Sequence, residues 1–141
     1  MRLRRWTQLF ASAALTLAVG ALGAERPAAW QEEAAKLANP VTSSASSIAA
    51  GKKLFDAQCT TCHGPTGTGD GKGGQMLKPP PPDLTDATWN HGSSDGEIFV
   101  VIRDGVQKTG MRAYGSRIAT NDIWNLVNYV KTLGPGVPGS H

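Results

Sequence analysis

The chain has 141 residues, with 14 Lys and Arg against 11 Asp and Glu, two Cys and three His. That length sets a prior of one domain, and 40% hydrophobic with 18% charged residues excludes collagen-like and acidic disordered chains. No apolar run reaches the roughly 18 residues of a membrane span.

Taken in chain order, Arg2, Arg4 and Arg5 precede an apolar stretch, Leu9 to Leu22, and small residues then cluster at Gly20, Ala21, Gly23 and Ala24. A charged start, a short apolar centre and a small-residue end are the pattern of a secretory signal peptide. It is expected over residues 1–23, with cleavage after Gly23, Ala21 or Ala24. The alternative is an uncleaved membrane anchor. Removal of the segment leaves 11 Lys and Arg against 11 Asp and Glu. The apparent basicity belongs to the leader, and nucleic-acid binding loses its main support.

Residues 24–46 read as an extension. Good helix formers over Ala28–Ala38 predict a helix, which Asn39-Pro40 ends because a residue before proline avoids the helical region. Val41–Ser47 is a Ser/Thr/Ala tract that reads as a flexible linker. The compact domain is expected over residues 47–134, with residues 135–141 as a tail. Its first helix should span Ser47–Gln58, capped by Ser46 or Ser47, with Ile48, Gly51, Leu54 and Phe55 near one face. A second is expected over Asp95–Asp104. Ser94 and Glu97 form a capping box at its start, and Gly105 is suited to its end. A last helix is expected over Asn121–Leu133, capped by Thr120, with Ile123, Leu126, Val127, Val130 and Leu133 as its apolar stripe. Gly64–Trp89, rich in Gly and Pro, reads as loop, and no segment alternates convincingly as a strand. Three short helices make a thin core, which at this size calls for a staple or a large internal ligand.

Both cysteines lie in Cys59-Thr60-Thr61-Cys62-His63. In an exported chain, C-x-x-C-H reads as covalent haem attachment. Two thiols two residues apart can add to the two vinyl groups of one haem, and the adjacent His63 can then meet the iron. The rival readings are a Cys59–Cys62 disulfide, a thioredoxin-like redox pair, which lacks its βαβ setting, and a zinc site with His91 as fourth ligand. Gly69-Asp70-Gly71-Lys72-Gly73-Gly74 matches G-x-G-x-x-G, but it follows no strand and opens no helix, so it reads as loop rather than a nucleotide site.

Cys59–His63 continues as Gly64-Pro65-Thr66-Gly67-Thr68-Gly69-Asp70-Gly71, then Pro82-Asp83-Leu84-Thr85, Ile102-Arg103-Asp104-Gly105, Thr109-Gly110-Met111, and Ile123-Trp124 through Tyr129-Val130. Over residues 47–134 this resembles a class I monohaem cytochrome c of the bacterial kind, similar to the c domains of cbb3-type oxidases. The resemblance implies an all-α cytochrome c fold, about three helices and loops around one covalent haem c. It implies Cys59 and Cys62 as the attachment sites and His63 as one axial ligand of the iron. Class I cytochromes bring a methionine from the loop before the last helix to the opposite face, which points to Met111. Met76 and His91 are the other candidates. The family usually has proline after that methionine; here Arg112 stands there, placing a positive charge near the iron. The resemblance also implies a close crossing of Gly51 and Phe55 against Tyr129, and a carbonyl of Pro79–Pro82 accepting from His63 Nδ1. Trp89 reads as either a haem contact or core.

With two axial ligands the iron has no open position, which leaves one-electron transfer. The expected function is a periplasmic or otherwise exported electron carrier, not an enzyme, that meets redox protein partners such as a terminal oxidase. The alternatives are a haem subunit of a larger dehydrogenase or oxidase complex, and a five-coordinate haem sensor or peroxidase. Gly105–Ile118 holds Lys108, Arg112 and Arg117 and no acid, which suits steering of an acidic partner.

Overall fold

A computed structural model describes residues 28–135; the expected signal segment and most of the C-terminal tail lie outside them. Five helices form: α1 (Ala28–Ala35), α2 (Ala45–Gln58), α3 (Thr60–His63), α4 (Asp95–Asp104) and α5 (Thr120–Lys131). No strand forms among the described residues.

The frame is α2 crossed on α5, with α4 packed on α5 and α1 on α4. The crossing is possible because residue 51 is glycine. A methyl group there would overlap the Asn125 carbonyl and meet Tyr129 Cβ at 2.8 Å. Phe55, 1% exposed, fills the space beside it, its ring 5.2 Å from that of Tyr129. The Gly51–Phe55–Tyr129 contact therefore forms as expected. Around it Ile123, Leu126 and Val127 are buried, and Phe99 of α4 stacks on Trp124 at 3.9 Å. Asp95 and Lys131 pair at the far ends of α4 and α5.

The helix boundaries follow local chemistry. The α4 capping box forms between Ser94 and Glu97, and Gly105 ends the helix at φ 69°. α2 begins two residues earlier than expected. Ser44 is its cap, and Ser47 returns the bond to Ser44 N at 2.9 Å, taking the part that Glu or Gln ordinarily plays. α5 starts at Thr120 itself; Ala119 precedes it without a side-chain cap, and the helix ends at Lys131 rather than Leu133. α1 stops at Ala35, before the Asn39-Pro40 break.

The segment ahead of α2 is tied to the body. Ala34 is buried, and Gly96 lets α4 approach it. The buried Asn128 accepts from Asn39 Nδ2 at 2.8 Å and donates to the Val41 carbonyl and Ser47 Oγ, each at 3.1 Å. Val41–Ser47 is thus held by hydrogen bonds at both ends rather than free as a linker. An apolar stripe on the last helix gives no sign of this, because the anchor is a polar residue inside it.

Candidate functional site

Cys59 is the hinge between two helices, closing α2 and opening α3 with φ −114° and ψ −30°. Its carbonyl accepts from both Cys62 N (3.1 Å) and His63 N (2.9 Å), so the two cysteines and the histidine share one turn. Both thiols are free and half-buried. The Cys59–Cys62 disulfide is not formed. Burial, helped by Cys62, pushes the Cys59 pKa up to about 11, which keeps it a neutral thiol at pH 7. Burial pushes the His63 pKa down, so its imidazole is neutral, the form that binds metal. Its ring lies 6.4 Å from Phe55.

The loop after α3 folds back over this turn. Gly69 N donates to the His63 carbonyl at 2.8 Å, and Gly73 N to that of Thr61 at 2.9 Å. Gly64, Gly67 and Gly69 all have positive φ, between 75° and 82°, a region open to glycine. A side chain at Gly71 or Gly74 would run into the carbonyls of α3. These glycines serve a close wrap of backbone on backbone, as their position outside any strand–helix unit implied.

Met111 lies half-buried on the loop between α4 and α5. That loop is fastened to the cysteine turn by Tyr114, whose Oη donates to the carbonyl of Gln58, the residue before Cys59, at 3.2 Å. Burial pushes the Tyr114 hydroxyl pKa above its ordinary value, with Arg112 and Arg117 acting the other way. Tyr114 follows Met111 closely in the chain, so its bond holds that stretch of the loop to the end of α2. Met76 is 86% exposed. Among the described residues no three His, Cys, Asp or Glu converge, so His91 does not complete a zinc set. Tyr114 went unflagged in the sequence because its partner is a backbone carbonyl 56 positions away, which no spacing encodes.

The family profile described as cytochrome c oxidase, cbb3-type, subunit III matches residues 46–130. The chain belongs to this family of c-type cytochrome domains. The cbb3-type cytochrome c oxidase subunit FixP of Azorhizobium caulinodans is 36% identical over 86 residues; the match covers 61% of this chain and 27% of that relative. The chain thus spans only about a quarter of FixP. Cytochrome c6 of Gracilaria tenuistipitata var. liui is 32% identical over 87 residues, covering 61% of this chain and 72% of the relative. Among solved structures, the Kuenenia stuttgartiensis reducing HAO-like protein complex superposes with a TM-score of 0.63 at 26% identity, over 71% of this chain and 48% of that one.

A cytochrome c domain carries covalent haem c and transfers electrons through it. The residues present fit that group. His63 Nδ1 and Trp89 Nε1 are buried with no hydrogen-bond partner. Leaving a buried polar atom unpaired costs about 1–3 kcal/mol, so in the bare chain both nitrogens lack a partner that their burial calls for. None of the Pro79–Pro82 carbonyls accepts from His63, contrary to expectation. The Trp89 ring edge packs toward Gly134, 3.4 Å from where a Cβ would stand. Leu54, Leu84, Trp89, Met111, Tyr114, Ile118 and Leu133 pack on the core while only partly buried. They supply apolar surface that a large flat group can cover.

Proposed function

We propose that this chain is a one-electron carrier whose haem is tethered by thioethers at Cys59 and Cys62 and bound axially by His63 and Met111. The haem, when bound, supplies the change between ferric and ferrous iron. His63, neutral in its buried seat, offers one lone pair. Met111 offers the other, from the loop that Tyr114 fastens beside Cys59. The Tyr114–Gln58 bond is the observation that carries the reading, because it ties the methionine loop to the attachment turn. Held by both His63 and Met111, the iron would have no protein-side position left for a substrate to coordinate, which would leave electron transfer as its chemistry. His/Met ligation favours a higher potential than two histidines would give. The Arg112 charge acts in the same direction, since the ferric state carries one more positive charge.

The setting we propose is exported and periplasmic, on the strength of the Arg-rich, apolar and small-residue succession at the start of the chain. No helix among the described residues is long and apolar enough to cross a membrane. The partners are redox proteins with an acidic face. Lys108, Arg112 and Arg117 are exposed around the Met111 loop, and none is in an ion pair among the described residues. A second reading, a haem subunit within a larger oxidase, is favoured by the match to FixP. Isolation as a free monomer that exchanges electrons would count against it.

The test is carbon monoxide added to the reduced holoprotein, with peroxide turnover measured in parallel. A carrier with both axial positions filled gives no carbon monoxide adduct and no turnover, yet exchanges electrons quickly with a small inert reagent. A ready adduct, or sustained turnover, would transfer the function to a five-coordinate sensor or peroxidase.

A further inference from the structure

Class I cytochromes usually stiffen the chain after the ligand methionine with a proline, whose ring fixes φ. This chain has Arg112 there, so the Met111 loop must be held by other means. Its hydrogen bonds converge on one side chain. Thr109 Oγ1 donates to the Val106 carbonyl at 2.8 Å and accepts from Met111 N at 3.1 Å. Thr109 N also donates to the Val106 carbonyl, at 3.3 Å, and Val106 N donates to the Met111 carbonyl at 3.0 Å. Both backbone groups of Met111 are thus tied into a turn that a single hydroxyl bridges. The turn itself needs left-handed backbone at Gly105 (φ 69°) and Lys108 (φ 59°). Lys108 is the only non-glycine residue with positive φ among those described, and a residue of that kind sits there only when its surroundings impose it.

The other side of the loop is closed by Leu77, from the long loop after α3. Leu77 packs on Gly110 so closely that a methyl group on Gly110 would overlap its Cδ1. The residue just before Met111 is therefore covered by a side chain from the wrap around the cysteine turn. Met111 is held from within its own turn by Thr109, and Leu77 covers Gly110 beside it.

We infer that Thr109, with Leu77 over Gly110, is the positioning device for Met111, replacing the missing proline and setting how readily the methionine gives up the iron. This rests on the reading of Met111 as an axial ligand. Thr109 does not touch the iron in this role; it acts through the backbone of Met111.

The experiment compares holoprotein of the wild type, Thr109→Val, Thr109→Ser and Leu77→Ala. The ferric Fe–Met charge-transfer band is recorded, and imidazole is titrated in as a competing ligand. Thr109→Val removes two bonds. It should weaken the band and tighten imidazole binding about tenfold, which corresponds to ~1.4 kcal/mol. Thr109→Ser keeps the hydroxyl and should bind imidazole like the wild type. Leu77→Ala should tighten binding several-fold, and it carries the test if Thr109→Val yields no holoprotein. Thermal midpoints separate a loosened ligand from a loosened fold, since a purely structural role would lower the midpoint and leave imidazole affinity unchanged. Wild-type imidazole affinity in Thr109→Val, or Thr109→Ser as lax as Thr109→Val, would overturn the inference. A wild-type protein without the band would overturn the Met111 assignment itself, and the role of Thr109 with it.

Discussion

Asp83 Oδ1 accepts from both the amide and the hydroxyl of Thr85, at 2.7 and 2.6 Å. These bonds favour the carboxylate and hold its pKa below the ordinary value. A depressed folded-state pKa means that the turn's contribution is complete above the unfolded value near 3.9. It is lost as the pH falls through the lower folded value. A carboxyl-detected NMR titration should place the Asp83 midpoint below that of an unstructured aspartate, and Thr85→Val should return it upward; equal midpoints would contradict the turn. At this same scale the attachment chemistry was legible, because C-x-x-C-H carries its spacing in the sequence. Tyr114 and Thr109 were not legible. Each acts on a backbone group, and a backbone group leaves no residue type to read.

Among the elements, α2 and α5 meet through Gly51. A side chain there must displace the backbone oxygen of Asn125 rather than the end of a flexible side chain, so the crossing cannot adjust cheaply. Gly51→Ala should destabilise the domain by about 3 kcal/mol, the upper end for overpacking. At about 4–8 °C per kcal/mol this lowers the thermal midpoint by more than 10 °C. A midpoint within a few degrees of the wild type would show that the helices can separate. Helical spacing put Gly51 and Phe55 on one face of α2, and the resemblance to class I cytochromes supplied Tyr129 as their partner. α2 starts two residues ahead of Ser47 because a serine fills the returning position of its capping box. Thr120 looked like a cap by residue type, yet the backbone of Ala119 already closes the first turn of α5.

At the scale of the whole molecule, Asn128 joins the segment before α2 to the last helix. Its amide is buried with partners at Asn39, Val41 and Ser47. Asn128→Ala should cost about 1–3 kcal/mol, the penalty for buried groups left unpaired. It should also speed amide exchange across residues 36–44 selectively. Exchange in that segment unchanged from the wild type would mean that α1 alone anchors it. The sequence showed helical and loop parts ahead of α2 but not that they dock, because docking rests on a small-residue contact of Ala34 with Gly96 and on one polar side chain in an apolar stripe. The whole-molecule charge pattern leads to another expectation. If Lys108, Arg112 and Arg117 steer an acidic partner, the bimolecular rate of electron transfer to it falls as ionic strength rises, and a flat salt profile would remove the steering.

All of these expectations surround one claim, that His63 and Met111 hold the iron between them. The visible spectrum of the holoprotein, oxidised and reduced, beside that of Met111→Ala, tests it most directly. A low-spin c-type spectrum whose ferric Fe–Met charge-transfer band disappears in the variant is the predicted result. A high-spin ferric spectrum that Met111→Ala leaves unchanged would contradict it, and with it the electron-carrier reading.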